Sequence, residues 1–276
     1  MYNEIKHVEK VTTSMNSTGK MPVLFLGHGS PMNAIEENEF VQGFRNIAKE
    51  IPRPQAIVCI SAHWETRGTF VTAMKNPPTI HDFGGFPEVL YNVQYPAPGA
   101  PELAHKIATL LGETNIGLDY SRGLDHGAWS VIKHLFPKAD VPLIEMSLDY
   151  TKNPQAHYEM AQALRPLRDL GILIIGSGNL VHNLRKIDWK KLNEIYTYDW
   201  AIEANEKMKA YILEENHSQL INFQKQGEAF NLAIPTPEHY LPLLYSLSLR
   251  DKNEELKFFN DKIIAGSLSM TSFKIG

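Results

Sequence analysis

Cysteine is all but missing: the chain of 276 residues has one, Cys59. That excludes a disulfide framework and any metal site built from cysteines alone. Long apolar runs are missing too. No segment approaches the ~18 consecutive apolar residues of a membrane-spanning helix, so no membrane span is expected. Positive charge is scarce, with 27 Lys and Arg against 31 Asp and Glu. Without a dense basic run, nucleic acid is not an expected partner. The first 21 residues are polar and lack the apolar stretch of a secretory signal, which points to a cytoplasmic address. Repeats, low-complexity tracts and a clear linker are also lacking, so a single domain over 21–276 is expected after a flexible tail at 1–20. What is present is a core: hydrophobic residues make up 43% of the chain, which excludes intrinsic disorder.

Short apolar runs alternate with helical patterns. Pro22–Leu26, Ala56–Ala62 and Gly171–Ile175 read as strands apolar on both faces, as buried parallel strands are. Gly68–Met74, Val141–Leu148 and Ser267–Ile275 are further strand candidates, the last nearer an edge. Helices are expected over Glu39–Ile51, Pro101–Leu111, Asn153–Leu170, Trp189–Glu215 and Glu238–Leu249. The alternation implies an α/β fold, a three-layer α/β/α sandwich on a mostly parallel, mixed central sheet. Residues 76–100, dense in Pro, Gly and aromatics, read as a structured loop of the kind that walls a pocket.

Histidine is the residue that raises a chemical question, with eleven in the chain. His105, His134, His157 and His217 sit in helical patterns among polar neighbours and read as surface residues; His7 lies in the tail. His28, His63 and His182 each follow a buried strand, where open α/β sheets bind their ligands. His126 and His239 open helical patterns. Several neutral imidazoles converging without cysteine suit a first-row metal such as Zn(II) or Fe(II). Rival motifs fit poorly. Gly176-Ser177-Gly178 lacks the third glycine of a dinucleotide fingerprint, no Walker-type loop occurs, and neither Ser30 nor Ser177 sits in GxSxG.

Six segments together resemble the class III extradiol dioxygenase superfamily, in its LigB-like 4,5-DOPA dioxygenase branch. They are LGHGSPMNA at 26–34, SAHWET at 61–66, DFGGFPEVLY at 82–91, GLDHGAWSV at 123–131, GSGNLVHNL at 176–184 and PEHYLPLL at 237–244. The resemblance implies a cytoplasmic enzyme with one divalent metal, Fe(II) for dioxygenase activity and Zn(II) as isolated. It implies metal ligation by His28, His63 and His239. His239 stands where relatives that cleave protocatechuate carry a glutamate. His182 matches the catalytic histidine, and in zinc-loaded members it can be a fourth ligand. His126 matches a second catalytic histidine facing substrate and O2. Asp125, Tyr240 and Phe86 are the candidate substrate contacts, with Asp125 also placed to fix the tautomer of His126. The substrates implied are a small catechol such as DOPA and O2; the oligomeric state is left open. Two other readings share the scaffold: a zinc hydrolase acting through metal-bound water, and a non-catalytic, Memo-like binding protein.

Overall fold

Buried strands with apolar residues on both faces need a helix layer on each side, and the chain supplies both. The computed structural model describes residues 19–112, 116–191 and 195–276; residues 1–18 of the expected tail lie outside them. The strands are β1 (Val23–Gly27), β2 (Ala56–Thr66), β3 (Thr69–Thr72), β4 (Ile116–Asp119), β5 (Leu143–Asp149), β6 (Ile172–Gly178), β7 (Leu256–Phe259), β8 (Ile263–Ile264), β9 (Leu268–Ser269) and β10 (Ser272–Ile275). Eight of them form one sheet in the order β4-β3-β5-β2-β6-β1-β10-β7, and β8 pairs with β9. The central strands β5, β2, β6 and β1 are mutually parallel, whereas β10 runs antiparallel to both β1 and β7. The fold is therefore a single α/β domain on a mostly parallel, mixed sheet.

Alternation along the strands divides the core in two. Leu24, Leu26, Ile57, Cys59, Leu173 and Ile175 face one helix layer, which includes the Glu39–Glu50 and His126–Leu135 helices. Val23, Phe25, Val58, Ile60, Ile172 and Ile174 face the other, which includes the Pro101–Leu111, Asp199–Leu213 and Leu241–Ser248 helices. Asn38 starts the Glu39–Glu50 helix by accepting from the Phe40 and Val41 amides, and the helix buries Phe40, Phe44 and Ile47 on one stripe. Burying such side chains stabilises by roughly 2 kcal/mol each.

Several expected elements differ in extent. The helix expected over Asn153–Leu170 breaks into Pro154–Gln162 and Pro166–Asp169, because Pro166 has no amide proton to continue the ladder. The one expected over Trp189–Glu215 is a 3-10 turn, Trp189–Lys191, followed by a helix over Asp199–Leu213, with residues 192–194 outside the described set. The Ser267–Ile275 strand divides into β9 and β10, and β7 rather than β10 is the edge. At four residues each, β4 and β7 are too short to stand out in the sequence.

Candidate metal centre and active site

Parallel strands end on the same edge of a sheet, so the residues that follow them meet. His28 comes directly after β1, His63 lies in the last third of β2, and His182 lies four residues past β6. His239 reaches the same edge from the segment before the Leu241–Ser248 helix. Its carbonyl accepts from the Asn179 amide at 2.8 Å. A Cβ on Gly178 would lie 2.2 Å from that carbonyl oxygen, so only glycine permits the approach. His126 arrives on the first turn of its helix, capped by Asp125, whose carboxylate accepts from the Ala128 amide. Gly127 lets that turn close on β2, since a Cβ there would sit 2.6 Å from Ser61 Oγ.

The imidazoles of His28, His63 and His239 offer three nitrogens that all lie within 4.8 Å of one another. His28 Nε2 and His63 Nε2 are 3.1 Å apart. The tautomer of His28 follows from its neighbour. Ser177 Oγ donates its proton to the Gly127 carbonyl and so accepts from His28 Nδ1 at 3.1 Å, leaving the His28 Nε2 lone pair free. His239 Nδ1 lies 3.1 Å from Glu238 Oε1, and its Nε2 is buried without a hydrogen-bond partner. Three such nitrogens facing a common point fit a divalent cation. His182 stacks on His239 with ring centroids 3.5 Å apart and planes 5° apart. His126 and His63 have centroids 3.9 Å apart.

Burial keeps these rings neutral, as ligation requires. It holds His28 and His239 well below the ordinary 6.5, with the neighbouring imidazoles adding to the shift. His63 falls to about 4 through burial and then His126, against the opposing carboxylates Asp125, Asp82 and Glu238. His182 also falls to about 4, chiefly through burial.

Asp82 is the carboxylate that orients His126. Its Oδ1 accepts from His126 Nδ1 at 3.0 Å and from the His126 amide at 2.9 Å. Burial pushes the Asp82 carboxyl up, but the bonds and charge of His126 outweigh it and hold the pKa at about 2. Sequence reasoning gave this part to Asp125, which the structure places elsewhere. The Asp125 carboxylate is fully buried and bonds Ser61 Oγ at 2.7 Å and Arg122 at 3.1 Å. Through Ser61, which accepts from the His63 amide, and Arg122, which donates to the His63 carbonyl, it holds the β2 backbone, and it does not line the cavity that holds the histidines. Beneath it, burial and then the charge of Asp125 push Glu145 well above the usual carboxylate range. Tyr240, expected as a substrate contact, does not line the cavity that holds the histidines. It is 1% exposed and donates its hydroxyl proton to the Leu220 carbonyl. Phe86 does line the cavity, packed edge-on against Phe83.

That cavity, about 1110 Å³, holds His28, His63, His126, His182 and His239 in its wall with Phe83 to Pro87 and Trp189. Asp82 and His81 escaped the sequence argument. Asp82 could have been found as one of two carboxylates, with Glu88, in a segment otherwise rich in Gly, Pro and aromatics. His81, whose Nε2 lies 2.9 Å from the Val93 carbonyl, gives no such signal. Among the helical histidines expected at the surface, His134 and His157 are buried instead.

Comparisons with known proteins show the family and the fold. Residues 22–260 match the model of the family described as the catalytic LigB subunit of aromatic ring-opening dioxygenase. A protein of Escherichia coli (strain K12) named 4,5-DOPA dioxygenase extradiol is 48% identical over 95% of this chain and 97% of its own. One of the same name from Beta vulgaris is 34% identical over 91% of this chain and 94% of its own. The crystal structure of an uncharacterized protein from Escherichia coli K12 superposes with a TM-score of 0.80 at 43% identity, covering 93% of this chain and 100% of that one.

Proposed function

The chain belongs to the LigB family of aromatic ring-opening dioxygenase catalytic subunits, and from that premise we propose that it opens the ring of a small catechol such as DOPA with O2. In such a reaction the ring bond beside the diol breaks and both atoms of O2 enter the product. The observation that carries the reading is the convergence of His28, His63 and His239, drawn from three separate elements, on one cavity wall. These three would hold a divalent ion; Fe(II), when bound, supplies the electron-donating centre that catechol and O2 require. Three protein ligands leave positions open for both.

The remaining residues handle protons and orientation. His182, stacked on His239 and facing the cavity, takes the catechol proton and later returns it. His126, with Nδ1 committed to Asp82, keeps Nε2 for a hydrogen bond to substrate or oxygen. Phe83 and Phe86 offer aromatic surface for the substrate ring and exclude water around it.

Anaerobic reconstitution with Fe(II), followed by air and DOPA, is expected to give a yellow semialdehyde and oxygen uptake. Tight stoichiometric zinc, with no oxygen consumed by the iron-loaded protein, would overturn the reading in favour of hydrolytic chemistry.

A further inference from the structure

The cavity is larger than a catechol ring needs, just above the ~300–1,000 Å³ range of small-molecule pockets. Apart from the divalent ion that the histidines would hold, its formal charge is one-sided. Among the described residues, the wall includes Glu36 and Glu37 but no lysine or arginine. The two glutamates are not equivalent. Glu37 is exposed and bonded twice to Arg45, both at 2.6 Å, so its charge is answered. Glu36 lines the cavity, is half-buried and forms no ion pair among the described residues; its amide donates to the Met32 carbonyl, which fixes the backbone. Met32, Phe40, Leu184 and Trp189 supply apolar wall around it. A carboxylate in such a wall attracts a cation and repels an anion more strongly than it would in bulk water.

We infer that Glu36 determines which catechols enter: it accepts the ammonium of a ring side chain and turns away catechols whose only charge is a carboxylate. This rests on the catechol reading above and adds to it the residue that reads the side chain. A short alkylammonium catechol is then bound best, a zwitterionic amino acid catechol is accepted through its ammonium, and a neutral one falls between these and the anionic class.

The test uses the full-length protein loaded with zinc, which binds without turnover, and reads dissociation constants for dopamine, DOPA, 4-methylcatechol and 3,4-dihydroxyphenylpropionate. In the wild type, dopamine is expected to bind about tenfold tighter than 4-methylcatechol, and the propionate more weakly than either. E36Q should bring dopamine to the level of 4-methylcatechol while leaving 4-methylcatechol itself unchanged, and E36K should invert the order of dopamine and the propionate. Unchanged ratios in both variants overturn the inference. Iron-loaded turnover of the same compounds separates the two claims. Charge-selective binding without cleavage of any catechol sinks the dioxygenase reading alone, whereas cleavage indifferent to side-chain charge sinks the role of Glu36 alone. Absence of any catechol binding overturns both.

Discussion

Two sets of histidines in this molecule share the same burial and differ in what they face. His28 and His239, at the sheet edge where the parallel strands end, are 1% and 7% exposed; His157 and His134, on helices, are 0% and 8% exposed. Burial lowers the pKa in both sets. Even an unpartnered nitrogen occurs in both, at His239 Nε2 and at His157 Nε2. The difference lies in company. His157 Nδ1 meets the Tyr245 hydroxyl at 2.9 Å and His134 Nε2 the Asn33 carbonyl at 2.7 Å, each a closed local pairing. The strand-end rings instead point at one another. Burial and basicity therefore do not mark a metal site; convergence of several lone pairs does.

That contrast can be broken most sharply by deleting one ring from each set. His28→Ala or His239→Ala is expected to abolish stoichiometric metal binding and reduce oxygen uptake to background. His157→Gln should leave metal content, read by elemental analysis, unchanged. Retention of metal in both strand-end variants would dissolve the distinction.

Within the strand-end set, His182 is expected to behave differently from the ligands. His182→Ala should keep its metal and lose roughly 10²–10⁴-fold in kcat. Loss of metal would make it a fourth ligand. Asp82→Asn, which weakens the hold on His126, should cost about 10–100-fold in kcat/KM with the metal retained. Equal loss in Asp125→Asn, without loss of stability, would return the orienting role to Asp125.

The helical set supplies the smallest effect, on stability. His157 has a folded pKa of about 4 against an ordinary 6.5. Between those values the unfolded chain binds a proton that the folded chain does not, so stability falls as pH drops from 6.5 toward 4 and this group adds no further loss below that. At pH 5 the loss is about 2 kcal/mol relative to pH 7. Urea unfolding of the metal-free protein at the two pH values should show that difference shrink by this amount in His157→Gln. The strand-end rings contribute losses of the same sign, so subtraction between variants is what isolates His157.

How far the site could be read from the chain depended on the range of each interaction. The positions of His28, His63 and His182 after apolar runs were legible because strand ends are local features and parallel topology brings them together. The orientation of His126 was not. Asp125, its neighbour in sequence, turned inward as a helix cap, and the carboxylate that holds the ring came from Asp82, in a loop 44 residues away. Tyr240 illustrates the same limit: its place beside His239 suggested a substrate contact, but the last turn before the helix directs its hydroxyl to Leu220.

Composition and periodicity were enough to establish a cysteine-poor α/β domain with apolar strands and histidines at their ends, since these depend on residues close together in the chain. Which histidines share a cavity, which carboxylate fixes a ring, and that Glu36 lines the cavity without an ion pair among the described residues while Glu37 is paired with Arg45 were decided only by the packed structure. The physical reason is that a coordination sphere and its hydrogen bonds act over about 3 Å in space, and residues separated by tens or hundreds of positions come that close only once the sheet and its two helix layers have closed.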